Sequence, residues 1–83
     1  MSEYAVRLTN RFRRSFRRLP KDVRERVEEA VLEIAEHPYS GYLIMTMGVW
    51  SYRVGDYRII YLIREEEREV VLLTVRHRRR AYR

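Results

Sequence analysis

The stretch that decides the fold is VWSYRVGDYRIIYLI, residues 49–63. Residues 49–54 and 57–63 are rich in aromatic and β-branched side chains, which favour strands. They are separated by Gly55-Asp56, a dipeptide typical of the two-residue loop that joins hairpin strands. The segment therefore predicts a β-hairpin with its tip at Gly55-Asp56.

This hairpin fixes which side chains are neighbours. A two-residue loop pairs Arg53 with Arg58, so two like charges lie side by side on one face of the sheet, together with Ser51. Such a pair is repulsive, and a bound anion would relieve the repulsion. Arginines on a solvated sheet face, neutralised by Asp56 or by the acidic run at 65–69, are the competing interpretation, and the residues alone leave both open. The other face predicts a core, formed by Trp50, Tyr52, Val54, Tyr57, Ile59, Tyr61 and Ile63.

Upstream of the hairpin, the periodicity predicts one strand and two helices. Residues 3–9 alternate with a period of two. Thr9 or Asn10 caps a short helix, and Pro20 ends it and begins a second helix that reaches about Glu36. The apolar residues that recur at helical spacing are Phe12, Phe16 and Leu19 in the first helix and Val23, Val27, Ala30, Val31 and Ile34 in the second.

The remaining segments complete the topology. Residues 38–48 contain a proline and two glycines without a clean period, which indicates a crossing loop. Residues 69–76 form the last predicted strand, after the charged turn at 64–68. The order β-α-α-β-β-β predicts an α+β fold in which an antiparallel sheet of about four strands carries two N-terminal helices on one face. The length of 83 residues allows one domain, residues 1–83.

The amino-acid composition limits the classes of binding partner and of active site that we expect. Lys21 is the single lysine among 18 basic residues, which face 12 acidic ones for a net charge of +6. Excess cationic charge favours phosphate polymers, anionic membranes or an acidic protein. The chain has no cysteine, and His37 and His77 are far apart in sequence, so we expect neither a metal site nor a cofactor. No apolar run approaches the roughly 20 residues that span a bilayer, and we expect a cytoplasmic protein without membrane association.

A basic cluster follows the last predicted strand. It begins near one end of the sheet and consists of Arg76, His77, Arg78, Arg79, Arg80, Tyr82 and Arg83. His77 is a candidate proton carrier because its ordinary pKa lies near 6.5. A basic tail is more often a solvated surface, and this alternative also stays open.

Three segments resemble the RelE/ParE toxin superfamily of type II toxin–antitoxin systems. They are the hairpin around Arg53-Val54-Gly55-Asp56-Tyr57-Arg58, the earlier run LPKDVR at residues 19–24, and the ending HRRRAYR at residues 77–83. The resemblance spans almost the whole chain. The RVGDYR hairpin together with the terminal HRR-x-x-Y pattern is its most specific part.

The resemblance implies a RelE-type endoribonuclease that cuts mRNA in the ribosomal A site. It also implies inhibition by an acidic antitoxin from a neighbouring gene, in a hetero-oligomer. Arg53 and Arg58 match the two basic sheet positions of the family, Arg78 its basic position after the last strand, and Tyr82 its C-terminal tyrosine. Ser51, His77, Arg79 and Arg80 are the expected substrate contacts.

Two departures from the family pattern keep alternatives open. Many RelE-like members carry a basic residue where Ser51 stands, and a lysine is common near Met47. A ParE-like inhibitor of DNA gyrase, or a weakened toxin that only binds nucleic acid or antitoxin, remains possible on these grounds.

The implied chemistry is metal-independent RNA cleavage. Arginines suit the stabilisation of charge on the five-coordinate phosphorane. We expect Tyr82, with its pKa lowered by the surrounding guanidiniums, to act as general base or to orient the 2′-hydroxyl. Arg78 would assist the leaving group, and His77 is the fallback proton carrier.

Overall fold

The computed structural model describes residues 3–80, with Arg80 through its backbone alone. The elements in chain order are β1 (Ala5–Leu8), α1 (Asn10–Arg17), α2 (Lys21–Glu36), β2 (Tyr42–Ile44), β3 (Val49–Val54), β4 (Tyr57–Arg64) and β5 (Glu69–His77). The strands form one sheet in the order β1-β5-β4-β3-β2. The predicted α+β class is confirmed, with five strands instead of about four.

The β3–β4 hairpin has the predicted register. Val54 pairs with Tyr57 and Arg53 with Arg58 across the turn. Gly55, the first loop residue, has a φ of +60°, the left-handed region that glycine enters without steric cost. A side chain at Gly55 would also meet the flexible end of Arg26 of α2, which can move aside, so the positive φ is the reason that the tip favours glycine.

The second strand, β2, lies inside the segment predicted as a crossing loop, and that prediction is wrong over Tyr42–Ile44. A strand of three residues is too short to show periodicity in the sequence. Tertiary contacts position it: the buried Tyr61 hydroxyl donates to the Pro38 carbonyl at 2.8 Å just before the strand. A Cβ at Gly41 would collide with the Tyr61 hydroxyl, so glycine allows β2 to approach the sheet closely.

The sheet is mixed, and the prediction of an antiparallel sheet is wrong at β1. This strand runs parallel to β5, with Ala5 beside Glu69 and Leu8 beside Leu72. β1 covers Ala5–Leu8 instead of residues 3–9, and it forms an exposed edge. Because its partner lies more than sixty residues later in the chain, local periodicity carries no signal for the direction of pairing.

Both helices pack on one face of the sheet, as predicted. Thr9 caps α1, since its hydroxyl accepts from the Phe12 N–H at 3.1 Å. The buried core between the layers contains Phe12, Leu19, Val23, Val27, Ala30 and Ile34 from the helical segment and Val54, Ile59, Tyr61, Val70, Leu72 and Val75 from the sheet. Neither α1 nor α2 combines the length and the apolar character that crossing a bilayer requires.

Candidate active site

Three arginines lie next to one another on the face of the sheet opposite the helices. Arg53 of β3 pairs with Arg58 of β4, and Arg58 pairs with Arg76 of β5. We call Arg53, Arg58 and Arg76 the arginine row. Side chains at directly paired positions have Cβ atoms about 5 Å apart, so the three guanidiniums can reach one ligand.

A β-bulge brings Arg76 into this row. Tyr61 pairs with Leu72, whereas Ile60 pairs with Thr74, which leaves Leu73 as the extra residue of β5. An uninterrupted ladder from the Arg64–Glu69 pair would place Val75 beside Arg58. The bulge instead shifts the alternation by one residue, so Arg76 joins the arginines and Val75 enters the core. Arg76 was predicted only as part of the terminal cluster and not at this position, because the bulge has no local signature in the sequence.

The three arginines of the row differ in their exposure to solvent. Arg53 is exposed, and its Nε donates to the Gly55 carbonyl at 3.2 Å, which holds the side chain along the hairpin tip. Arg58 and Arg76 are half-buried, and the Nε atom of Arg58 is shielded from solvent. Partial burial of guanidiniums lowers their hydration and strengthens their attraction for an anion.

The hairpin tip also holds the start of the C-terminal segment. The backbone N–H of Arg78 donates to the Asp56 carbonyl at 2.7 Å. This bond places a 3₁₀ turn, Arg78–Arg80, against the tip, with the exposed side chains of Arg78 and Arg79 at the same end of the sheet as the arginine row. The row, together with Arg78 and Arg79, is called the hairpin end below.

His77 lies on the other face of the sheet from the arginine row. It pairs with Tyr57, whose ring it meets edge-on at 5.3 Å between centroids. The His77 Nδ1 accepts from the Arg79 N–H at 3.3 Å. The structure does not bring this predicted proton carrier together with the row.

The other predicted site residues have different positions. Ser51 lies on the face of the row, two residues before Arg53, but only 4% of it is exposed. Met47 is exposed in the turn between β2 and β3, at the opposite end of β3 from Arg53. Tyr82 and the side chain of Arg80 lie outside the described residues.

The far end of the sheet carries carboxylates. Glu69 contacts Arg7 at 3.3 Å and Arg64 at 3.5 Å, and Glu67 contacts Arg64 at 3.4 Å. Glu65 accepts hydrogen bonds from the hydroxyls of Tyr4 and Tyr39. We call Glu65, Glu67 and Glu69 with their partners the carboxylate end.

Two tyrosines converge on Glu65 at the carboxylate end. The Tyr4 hydroxyl donates to its carboxylate at 2.9 Å, and the Tyr39 hydroxyl donates to the same group. The hydrogen bonds from Tyr39 and Tyr4 hold the pKa of Glu65 below its usual value. The same bond to Glu65 raises the pKa of Tyr39 to about 12. These contacts connect the residues that precede β1 and β2 to the turn between β4 and β5.

The arginine row supplies charge and hydrogen-bond donors. Each guanidinium has five N–H donors in a planar fork that matches two phosphate oxygens, and it does not exchange protons near neutral pH. Donors held before the reaction begins stabilise negative charge as it develops on a phosphorane. The described part of the site therefore suits binding of a phosphodiester and stabilisation of its transition state.

Comparison with known proteins gives one family and one fold. The family model for the ParE toxin of the type II toxin–antitoxin system parDE matches residues 6–82. The chain is 34% identical to a chain in the crystal structure of the RelBE2 toxin–antitoxin complex from Mycobacterium tuberculosis, with a TM-score of 0.85 and 94% of each chain covered. No curated protein matches the chain significantly.

More distant structures share the fold. In the intact E. coli RelBE toxin–antitoxin complex, the similarity covers 89% of this chain and 95% of the other, with 22% identity and a TM-score of 0.79. In the archaeal RelE–RelB complex from Pyrococcus horikoshii OT3, it covers 92% of this chain and 96% of the other, with 20% identity and a TM-score of 0.77.

Proposed function

Because the chain belongs to the RelE/ParE toxin superfamily of type II toxin–antitoxin systems, we propose that it is a ribosome-dependent endoribonuclease that cuts mRNA in the A site. The observation that carries the proposal is the arginine row, in which three strands each contribute one guanidinium to the same patch. Guanidiniums gathered on one patch attract an anion, and the RNA backbone is such an anion.

The proposed reaction is an in-line attack within the RNA chain. The 2′-oxygen forms a bond to the adjacent phosphorus, the bond from phosphorus to the 5′-oxygen breaks, and the products are a 2′,3′-cyclic phosphate and a 5′-hydroxyl. Arg53, Arg58 and Arg76 stabilise the additional charge on the non-bridging oxygens. In this scheme Tyr82 takes or orients the 2′-hydroxyl proton, Arg78 donates a hydrogen bond to the leaving 5′-oxygen, and solvent water supplies the proton that completes the 5′-hydroxyl.

The proposed partners follow from the family and from the charge. The M. tuberculosis relative was solved as a toxin–antitoxin complex, and a net charge of +6 suits an acidic antitoxin that covers the arginine row in a hetero-oligomer. The ribosome and its mRNA are the proposed target, which places the activity in the cytoplasm. Binding of the antitoxin over Arg53 and Arg58 would block access of RNA.

A second candidate function is inhibition of DNA gyrase. The matching family model is described as a ParE toxin, and parDE is the system that it names. In this alternative the hairpin end binds a protein target without cleaving RNA. A third candidate is a toxin with weakened catalysis, since uncharged Ser51 and Met47 stand where many RelE-like relatives are basic.

Mapping of 5′ ends tests these candidates together. Expression of the chain is induced for a few minutes, mRNA 5′ ends are mapped, and covalent gyrase–DNA complexes are measured in the same cells. The proposed endoribonuclease yields new 5′-hydroxyl ends inside translated codons and no increase in gyrase–DNA complexes. Accumulation of those complexes with intact mRNA would establish the gyrase alternative, and growth without either change would establish a weakened toxin.

A further inference from the structure

A second basic surface adjoins the arginine row on the helix side of β5. Beyond Leu72, where β1 ends, the edge of β5 faces α1 and borders an open groove of about 1110 Å³. The residues that line it include Arg11, Arg14 and Arg18 on one side and Arg76 and Arg79 on the other. A groove of this size exceeds most small-molecule sites and has the open form expected for a polymer.

The three helical arginines form one stripe. Arg11, Arg14 and Arg18 are separated by three and four residues, so they lie above one another on a single face over a length of about 10 Å. Arg13 and Arg17 of the same helix line an apolar pocket on its other side instead. The helix thus presents two differently directed sets of arginines, and only one set faces the groove.

Helix stability explains only part of this stripe, because the helix dipole favours a cation at Arg14, in the last turn of α1, and at the C-cap Arg18 but not at the helix start. Arg11 lies in the first turn of α1, where the helix dipole disfavours a cation, and the first turn has no acidic residue to offset it. Arg14 and Arg18, four residues apart, repel one another. The position of Arg11 and the repulsion between Arg14 and Arg18 therefore have no benefit for the helix itself, and an anionic ligand in the groove would offset both.

The floor of the groove favours a nucleic acid over an acidic peptide. The rings of Tyr57 and His77 line it and are half-buried, with their centroids 5.3 Å apart and their planes almost perpendicular. Aromatic rings beside arginines are typical of surfaces that stack unpaired bases while binding the backbone. An acidic peptide would use the charges but not these rings.

The groove adjoins the proposed catalytic patch. Arg76 lines the groove and is also the third member of the arginine row on the opposite face, so a strand in the groove would reach the row around the edge of β5 beyond Leu72. We infer that the groove between α1 and the C-terminal half of β5 binds the single-stranded RNA that flanks the scissile phosphate. The inference rests on the proposed function in taking RNA as the ligand.

Paired charge substitutions on α1 test this inference. Arg11→Gln/Arg14→Gln removes two groove charges, and Arg13→Gln/Arg17→Gln removes the same net charge from the other side. All four residues are exposed, and Gln has nearly the helix propensity of Arg, so both variants should fold, which circular dichroism verifies. The probe is a labelled 2′-O-methyl RNA of roughly 12 nucleotides, which cannot be cleaved and fits the usual size of single-strand sites.

The groove variant should bind this RNA at least about tenfold more weakly at moderate salt, because two phosphate contacts are lost. The slope of log K against log salt should become shallower by about 1.4, or about 0.7 for each lost contact. The matched control should remain within about twofold of the wild type, since its side chains line the apolar pocket and make no direct phosphate contact in the groove. Equal weakening of both variants, or weakening of neither, would overturn the inference.

Two further measurements distinguish RNA binding in the groove from the alternative explanations. A poly-glutamate peptide that binds as tightly as the RNA, with the same dependence on Arg11 and Arg14, would assign the groove to an acidic protein and overturn the inference. Ribosome-dependent cleavage that needs Arg58, combined with normal RNA binding by the groove variant, would leave the proposed function standing without the groove. Loss of RNA binding in that variant, combined with a wild type that cleaves no mRNA, would support the groove and reject the endoribonuclease.

Discussion

Arginine side chains have different neighbours at the two ends of the sheet. At the carboxylate end, Arg7 and Arg64 contact Glu67 or Glu69, with separations of 3.3–3.5 Å. At the hairpin end, about 20 Å away along β4, cross-strand positions pair arginine with arginine. The same strands therefore combine arginine–carboxylate contacts at one end with a concentration of arginines at the other, and this contrast supports the hairpin end as the proposed functional surface.

The largest expected effect comes from making the hairpin end resemble the carboxylate end. Arg53→Glu places a carboxylate directly opposite Arg58, which should lower the formal charge of the row from +3 to +1 and reduce mRNA cleavage by at least about 100-fold. Folding should be unaffected or stabilised by up to about 1 kcal/mol, because opposite charges replace like charges across the strands. Cleavage assays and urea denaturation measure the two effects.

Lys21→Glu is the matched control for this substitution, because it makes the same change in net charge at an exposed position of α2. It should retain cleavage. If Arg53→Glu cleaves as fast as this control, the paired arginines do not form the site, and the contrast between the two ends has no functional meaning.

A smaller loss is expected from removing the arginine that the bulge supplies. Arg76→Ala should reduce single-turnover cleavage by roughly tenfold, because two guanidiniums remain to stabilise the phosphorane. Residues that act on one phosphate are not independent. The double variant with Arg58→Ala should therefore lose less than the product of the two single losses, whereas strictly multiplicative losses would show that Arg76 acts elsewhere.

The reverse substitution at the carboxylate end should affect stability instead of activity. Glu69→Arg removes the partner of Arg7 and Arg64 at a position whose side chain is 17% exposed, and it gathers three like charges. The free energy of unfolding should fall by roughly 1–3 kcal/mol, with cleavage per folded molecule unchanged. Glu67→Arg, at a 52% exposed side chain, should cost less. Equal losses at both positions would contradict the importance of burial.

The smallest expected effect is a pH dependence at Glu65. Its pKa is held below the ordinary value of 4.5 by bonds from Tyr39 and Tyr4, so their contribution to stability is complete above pH 4.5 and is lost as pH falls through the folded-state pKa. Because the pKa of Tyr39 is raised from 10.0 to about 12, the corresponding alkaline loss occurs as pH rises through that interval. Tyr39→Phe should lower the Tm slightly near neutrality and flatten both limbs, and identical pH profiles for the two proteins would refute this account.

The parts of the fold set by local chemistry could be predicted from the sequence. Gly55 at the hairpin tip determines the β3–β4 register, and therefore the juxtaposition of Arg53 with Arg58. The helices follow from apolar spacing and from the cap at Thr9. In these cases the residues that specify the structure lie within a few positions of one another.

Features set by distant contacts could not be predicted. β2 depends on the Tyr61–Pro38 hydrogen bond and on the absence of a side chain at Gly41, and the direction of β1 depends on a partner at the far end of the chain. The bulge at Leu73 changes which residue faces outward, so Arg76 could be placed in the row only with the β4–β5 register known. The predicted role of Tyr82 stays a prediction.

Single-turnover cleavage of ribosome-bound mRNA by Arg58→Ala, compared with Arg64→Ala, tests the central assignment most directly. Both substitutions remove an arginine from β4, one at the hairpin end and one at the carboxylate end. With toxin in excess and folding verified by circular dichroism, Arg58→Ala should cleave at least about 100-fold more slowly than wild type, while Arg64→Ala stays close to it. Wild-type cleavage by a folded Arg58→Ala variant would contradict the assignment of the arginine row as the catalytic site.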